Sequence, residues 1–238
     1  MIGRVQLLLA RLGYRPGPLD GKAGRRTSAA IKAAEKQAGI RQTGKPSGIL
    51  VAYLDRRLAR VLSGVNWLRL EDVQAIAPTF PAEHLPHLQA ALYEIGATPM
   101  RAAHFVAQLA HESDRFRAME EYATGAAYEG RKDLGNVKAG DGKRYKGRGV
   151  IQLTGRANYA RASEYLGVDL VRQPELAALP AIAYMTAAFY WLDRGINGKA
   201  DRDDVRGVTK LINGGTNGLK DRVALLSAAK HAFYVNIT

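Results

Sequence analysis

The 238-residue chain contains no cysteine. That excludes a disulfide-stapled scaffold, a cysteine nucleophile and a cysteine-ligated zinc site. Aromatic residues are few, 8% of the chain with two Trp, and they do not cluster where the positive charge is densest. Base stacking on single-stranded nucleic acid needs such clusters, so nucleic acid is not the expected partner. No apolar stretch approaches the roughly 20 residues of a membrane helix. The opening Met1–Ala10 has only a short apolar run, interrupted by Arg11, which is too little for a secretory signal. The expectation is synthesis in a cytoplasm without a signal peptide. Internal repeats and low-complexity tracts are absent as well. What remains, 47% hydrophobic and 24% charged, is the mix of a globular protein with one large or two modest domains.

Acidic residues are also scarce: 22 Asp and Glu face 35 Lys and Arg, a formal charge of +13. The imbalance is local. Residues 1–62 carry 13 basic and 3 acidic residues, whereas residues 63–238 carry 22 and 19. A quarter of the chain thus holds most of the net charge, as in a separate module that finds a polyanion such as nucleic acid, an anionic membrane or an anionic cell wall.

The apolar spacing of Val5, Leu8, Leu9 and Leu12 predicts a first helix that Gly13 ends. Thr27 is the expected N-cap of a second helix reaching Ala38, and Ser47 or Gly48 opens a third through Leu54. Residues 1–62 then form a three-helix domain, 63–67 a linker, and 68–238 a second, mainly helical domain. In that second domain Leu85–Gly96, Met100–Ala110, Pro180–Trp191 and Val205–Ile212 read as helices. Gly125–Thr154 is too rich in glycine and charge for a helix, and long irregular segments in compact domains tend to be functional.

His111 and Glu112 end an apolar helix, where a polar pair is unexpected. A carboxyl in apolar surroundings is the type of group that serves as a general acid at neutral pH. Glycoside hydrolysis needs a second carboxylate, and Glu120, Glu121 and Glu129 are the candidates. In Tyr145–Thr154, two glycines permit close backbone approach, and Gln152 and Thr154 alternate with Ile151 and Leu153 as on a short strand with one polar face. Amide and hydroxyl groups on one face suit the hydroxyls and acetamido groups of a sugar. The stretch lacks the Gly-Lys-Ser/Thr ending of a phosphate loop. Asn213 precedes two glycines beyond a helix and reads either as part of a C-cap or as a groove residue. Asp201, Asp203 and Asp204 lack the pattern of a calcium loop and read as a charged turn. The five histidines form no His-Glu-x-x-His pair, and no metal or cofactor is expected.

Taken in order, His111-Glu112-Ser113, Tyr128 through Asn136, Gly140-Asp141-Gly142 and Tyr145 through Tyr159 resemble the family-nineteen glycoside hydrolases. The similarity is greatest to the endolysin branch encoded by bacteriophages and prophages. Val5-Gln6, Leu12-Gly13-Tyr14, Pro16 through Gly21, Gly24, Arg26-Thr27 and Ala30-Ile31 resemble a peptidoglycan-binding three-helix module. One departure is Ala34-Glu35, where that module carries an aromatic residue and Gln.

The resemblance implies a mainly α-helical protein: a wall-binding domain followed by a lysozyme-like domain with a cleft lined by a short irregular or β segment. It implies Glu112 as general acid, Glu121 as base or electrostatic stabiliser, and Thr154 as a holder of the attacking water, with inversion at the anomeric carbon. His111, Tyr145, Arg148, Gln152, Asn158, Asn213 and Arg222 match groove positions, and Tyr14, Asp20, Gly21, Arg26 and Thr27 match wall-binding positions. The implied substrate is peptidoglycan, cut by a monomer between N-acetylmuramic acid and N-acetylglucosamine, with a chitinase as the alternative. Action on the wall would follow membrane permeabilisation.

Overall fold

The computed structural model describes residues 1–12, 14–18, 20–63 and 67–234. Gly13, the expected helix stop, and Leu19, part of the Pro16–Gly21 motif, lie outside the described residues, as do positions 64–66 of the expected linker. Three helices come first: α1 (Ile2–Arg11), α2 (Arg25–Gln37) and α3 (Gly48–Ser63). Val5, Leu8, Leu9, Ala30, Ile31, Ala34, Leu50 and Leu54 form their buried core.

A polar staple organises the loop between α1 and α2. Gln6 is fully buried. Its amide donates to the carbonyls of Pro18 at 2.7 Å and Lys22 at 3.0 Å, and its oxygen accepts from the Gly21 amide at 2.9 Å. Thr27 completes the staple by donating to the Pro16 carbonyl at 2.7 Å. This corrects two expectations. Thr27 does not cap α2, which starts two residues earlier with Gly24 at the N-cap. At 2% exposure it is also closed to an external ligand. A buried amide left unpaired costs about 1–3 kcal/mol, so Gln6 and Thr27 together dictate the loop's path. The Ala34-Glu35 departure has a local purpose as well. Ala34 fits the core, and the buried Glu35 carboxylate accepts from the Thr43 hydroxyl at 2.6 Å and the Gly44 amide at 2.9 Å.

The second domain contains α4 (Leu70–Gln74), α5 (Leu85–Glu94), α6 (Pro99–Glu112), α7 (Asp141–Arg144), α8 (Arg156–Leu166), α9 (Pro180–Asp193), α10 (Asn197–Ala200), α11 (Val205–Asn213) and α12 (Leu219–Tyr234), and all of these except α7 contribute to its larger core. The architecture is mainly helical. Thr98 caps α6 by accepting from the Arg101 amide, with Pro99 at the first helical position, and the helix then buries nine consecutive residues from Ala102 to Ala110. A helix buried on every face lies inside its domain: α12 runs along α6, while α9 packs on α5. Phe105 meets Trp191 edge-on with ring centroids 5.2 Å apart.

The expected strand at Ile151–Thr154 is instead a turn. Gln152 has φ +54°, which breaks the alternation. Among the described residues the extended pairing consists of isolated antiparallel bridges, Glu120 with Arg148 and Arg148 with Leu153.

Candidate active site

Glu112 is the last residue of α6, and its neighbours are charged rather than apolar. Arg222 on α12 is completely buried and donates to Glu112 Oε1 at 2.5 Å. The same guanidinium donates to Gln108, one turn before Glu112, and to the Asn217 carbonyl at 3.3 Å. Arg222, expected in the groove, is therefore a buried strut that ties α12 to the acid-bearing end of α6. Beside it, His111 Nδ1 lies 2.6 Å from Asp221, which also accepts two bonds from Arg115, at 2.6 and 3.1 Å. The Arg115 bonds, helped by His111, hold the Asp221 carboxyl below its ordinary range against the effect of burial.

Beyond Glu112 the chain reverses through three consecutive left-handed residues, Asp114, Arg115 and Phe116, with φ of 49°, 59° and 66°. Each non-glycine residue in that region costs about 1–2 kcal/mol. Ser113 sustains the turn: its hydroxyl donates to the Leu109 carbonyl at 2.7 Å and accepts from the Phe116 amide at 2.9 Å. Phe116 is anchored in the core, edge-on to Phe80 at 4.9 Å. This reversal delivers residues 119–121 to the glycine-rich loop, where the Gly149 amide donates to Met119 at 2.8 Å and the Glu121 amide to Gly147 at 2.9 Å.

The three possible second carboxylates have different surroundings. Glu129 closes its own loop by accepting from the Gly140 amide at 2.7 Å and the Gly142 amide at 2.8 Å. Glu120 is ion-paired with Arg148 at 3.1 Å and Lys146 at 3.2 Å. Glu121 is held by neutral donors: the Tyr128 hydroxyl at 3.0 Å on one oxygen and the Gly147 amide at 2.9 Å on the other. A Cβ on Gly147 would sit 2.7 Å from Gln152 Oε1 and 3.1 Å from Glu121 Oε2. Glycine there lets both side chains close over the backbone.

The remaining polar residues form a chain across the same loop. Gln152 donates to the Gly149 carbonyl at 3.0 Å, Thr154 to the Gln152 carbonyl at 2.8 Å, and Asn158 to the Thr154 carbonyl at 2.7 Å. With its proton engaged, the half-buried Thr154 hydroxyl is left as an acceptor, the role a water donor requires. Tyr145 and Arg148 correct their expected groove positions. Tyr145 is 1% exposed and donates to the Val171 carbonyl at 3.0 Å. Arg148 is 8% exposed and bonds the Arg144 carbonyl and Tyr159 hydroxyl besides Glu120. Asn213 is exposed at the end of α11, where the left-handed Gly214 caps the helix. In the first domain Asp20 and Gly21 form the exposed loop tip and Arg26 is exposed on α2, whereas Tyr14 is half-buried and accepts from Arg57 at 2.8 Å.

Asp141, one residue of the Gly140-Asp141-Gly142 motif, has a definite structural task. Its carboxylate accepts from the amides of Val137 at 3.1 Å and Lys138 at 3.0 Å and from Arg156 at 2.5 and 2.8 Å. Arg156 in the first place, then these amides, pull its carboxyl down to about 2. Together with Asn136, which donates to the Tyr128 carbonyl and accepts from the Arg156 amide, it fixes the irregular segment around Tyr128. The Asp201, Asp203 and Asp204 turn is paired to Arg101, His104, Lys230 and Lys199. Among the described residues no group of His, Asp or Glu is arranged to hold a metal, and no helix is long and apolar enough to cross a membrane.

Residues 81–216 match the family model described as chitinase class I, and residues 2–54 match a peptidoglycan-binding domain model. A family 19 glycosyl hydrolase domain-containing protein of Haemophilus influenzae is 36% identical over 115 residues, 48% of this chain and 55% of that protein. An endochitinase of Arabidopsis thaliana is 30% identical over 125 residues, 51% of this chain and 47% of that protein. The chain thus spans about half the length of these curated relatives. Among solved structures, chitinase C from Streptomyces griseus superposes with a TM-score of 0.60 at 22% identity, covering 71% of this chain and 77% of that one. At that identity the likeness speaks for the fold. The first domain carries a peptidoglycan-binding match, and the match to the second covers more than half of the chain, so the protein belongs to the family 19 glycoside hydrolases.

Proposed function

We propose that the enzyme is a muramidase that hydrolyses the β-1,4 bond between N-acetylmuramic acid and N-acetylglucosamine in bacterial peptidoglycan. The observation that carries this reading is the union of a peptidoglycan-binding domain with a glycosidase domain in one chain. In the proposed reaction Glu112 protonates the glycosidic oxygen. Glu121 takes a proton from water, and Thr154 accepts a hydrogen bond from that water. Glu121 suits the base because neutral donors orient it, whereas Glu120 is engaged by two cations and Glu129 by its own loop. Water attack on the face opposite the departing oxygen inverts the anomeric carbon. Action as a monomer, made in the cytoplasm and released to the wall during lysis of a phage host, completes the reading.

The second reading is a chitinase, favoured by the family description and by the relatives' names. Digestion of Gram-negative peptidoglycan and, separately, of chitin oligomers, followed by borohydride reduction and mass spectrometry, separates the two. Reduced muramic ends that a Glu112→Gln variant fails to produce are expected. Reduced glucosamine ends, or faster turnover of chitin, would contradict the muramidase.

A further inference from the structure

The two domains meet at a concavity built from residues that the proposed glycosidase reaction does not use. Gly167, the left-handed cap of α8, touches the first domain so closely that a Cβ there would stand 3.2 Å from Arg15 Cα. Beside this contact lies a cleft of about 580 Å³, in the size range of small-ligand sites. Its walls have opposite sign. Arg15 and Arg26 line it from the first domain, and Glu164 and Asp169 from the second, with Ser163 and Val168 between them. Ser163 is fixed by bonds to the Tyr159 carbonyl and the Leu170 amide, and Asp169 accepts from the Arg172 amide at 3.1 Å. Among the described residues the side chains of Arg15, Arg26 and Glu164 have no hydrogen-bond or ion-pair partner. Two cations and two carboxylates therefore face each other across a gap without meeting.

We propose that this junction cleft binds a short zwitterionic peptide, its carboxylates on Arg15 and Arg26 and its ammonium group on Glu164 and Asp169. The inference rests on the wall-polymer reading above, because the peptide stems of peptidoglycan carry both kinds of charge while chitin carries no peptide. Gripping a stem here would hold the polymer by both domains at once and set the distance from the gripped stem to the cut bond. A neutral saccharide brings hydroxyl groups but no charge to pair with either wall. A simple anion would meet the carboxylates, and a simple cation the guanidinium groups.

The test is titration of the full-length protein with the free stem tetrapeptide, L-alanyl-D-isoglutamyl-meso-diaminopimelyl-D-alanine, by calorimetry or NMR. Saturable binding that weakens with added salt is expected. Arg15→Ala with Arg26→Ala, and separately Glu164→Gln with Asp169→Asn, should each weaken it about tenfold, the effect of losing roughly 1.4 kcal/mol of charge pairing. Arg15→Lys with Arg26→Lys should retain it. Circular dichroism verifies that each variant is folded. Failure of the peptide to saturate, binding indifferent to these substitutions, or dependence on only one wall would overturn the proposal. Hydrolysis of wall and of peptide-free oligomers by the unaltered protein is followed in parallel. Activity without peptide binding defeats this inference alone, and absence of any hydrolysis defeats the glycosidase reading.

Discussion

The two carboxylates of the proposed reaction are held in contrasting ways. Glu112 ends a helix buried on every side, and a fully buried guanidinium from a second helix grips it. Glu121 sits on a non-helical segment, and its bonds come from a tyrosine and a glycine amide of a neighbouring loop. The acid is placed by packing and charge. The base is placed by loop geometry, which depends on a backbone approaching where no Cβ fits. A carboxylate held by helix packing and one held by loop hydrogen bonds have different vulnerabilities.

The strongest way to break this comparison is at the acid. Glu112→Gln preserves the shape and the Arg222 contact but removes the transferable proton, so turnover should fall at least ~100-fold. Reductive-end release from purified wall measures it, and near-normal turnover in the folded variant would remove Glu112 from the role. Arg222→Met attacks the helical support. It strands the Gln108 side-chain oxygen and leaves Glu112 without its cation, at a cost of about 3 kcal/mol of stability, read from denaturant unfolding. On the loop side, Gly147→Ala should leave stability nearly unchanged. It pushes Glu121 and Gln152 apart by a few tenths of an ångström, so kcat should drop about tenfold, since small misplacements of catalytic groups are costly.

A separate effect, on stability alone, is a pH dependence of the loop's anchor. The Asp141 carboxyl lies near 2 in the fold against an ordinary 3.8. Its stabilising contribution is therefore complete above about pH 4 and disappears as pH falls toward 2, amounting to about 2 kcal/mol. Asp141→Asn should flatten that part of the stability curve, which thermal melts between pH 2 and 6 would record.

The same contrast governs what the sequence could tell. The helix stripes of Val5-Leu8-Leu9 and of the segment ending at Glu112 follow from side-chain period alone, and the helices lie where those periods place them. α8 and α12 escaped because their buried residues are interspersed with charge: Arg222, on α12, looks like a solvent residue until its partner 110 positions away is in place. Thr27 has the chemistry of a helix cap, but the buried Gln6 amide competes for it. Gln152 reads as one face of a strand, yet its left-handed backbone turns the segment over. For Arg222 and Thr27 a polar contact distant in sequence overrode a local preference. The order of the motifs pointed to the family without revealing these contacts. Local sequence was also silent on how Tyr128 and Gly147 hold Glu121.

The division of labour between the two carboxylates is tested most directly by the anomeric form of the first product. Fresh enzyme acting on a soluble glycan substrate is followed by proton NMR within the first turnovers, before mutarotation. Glu121 acting through water predicts that the new reducing end appears as the α-anomer and drifts toward equilibrium. An initial β-anomer would mean retention, and would contradict the assignment of Glu121 as the base that activates water opposite Glu112.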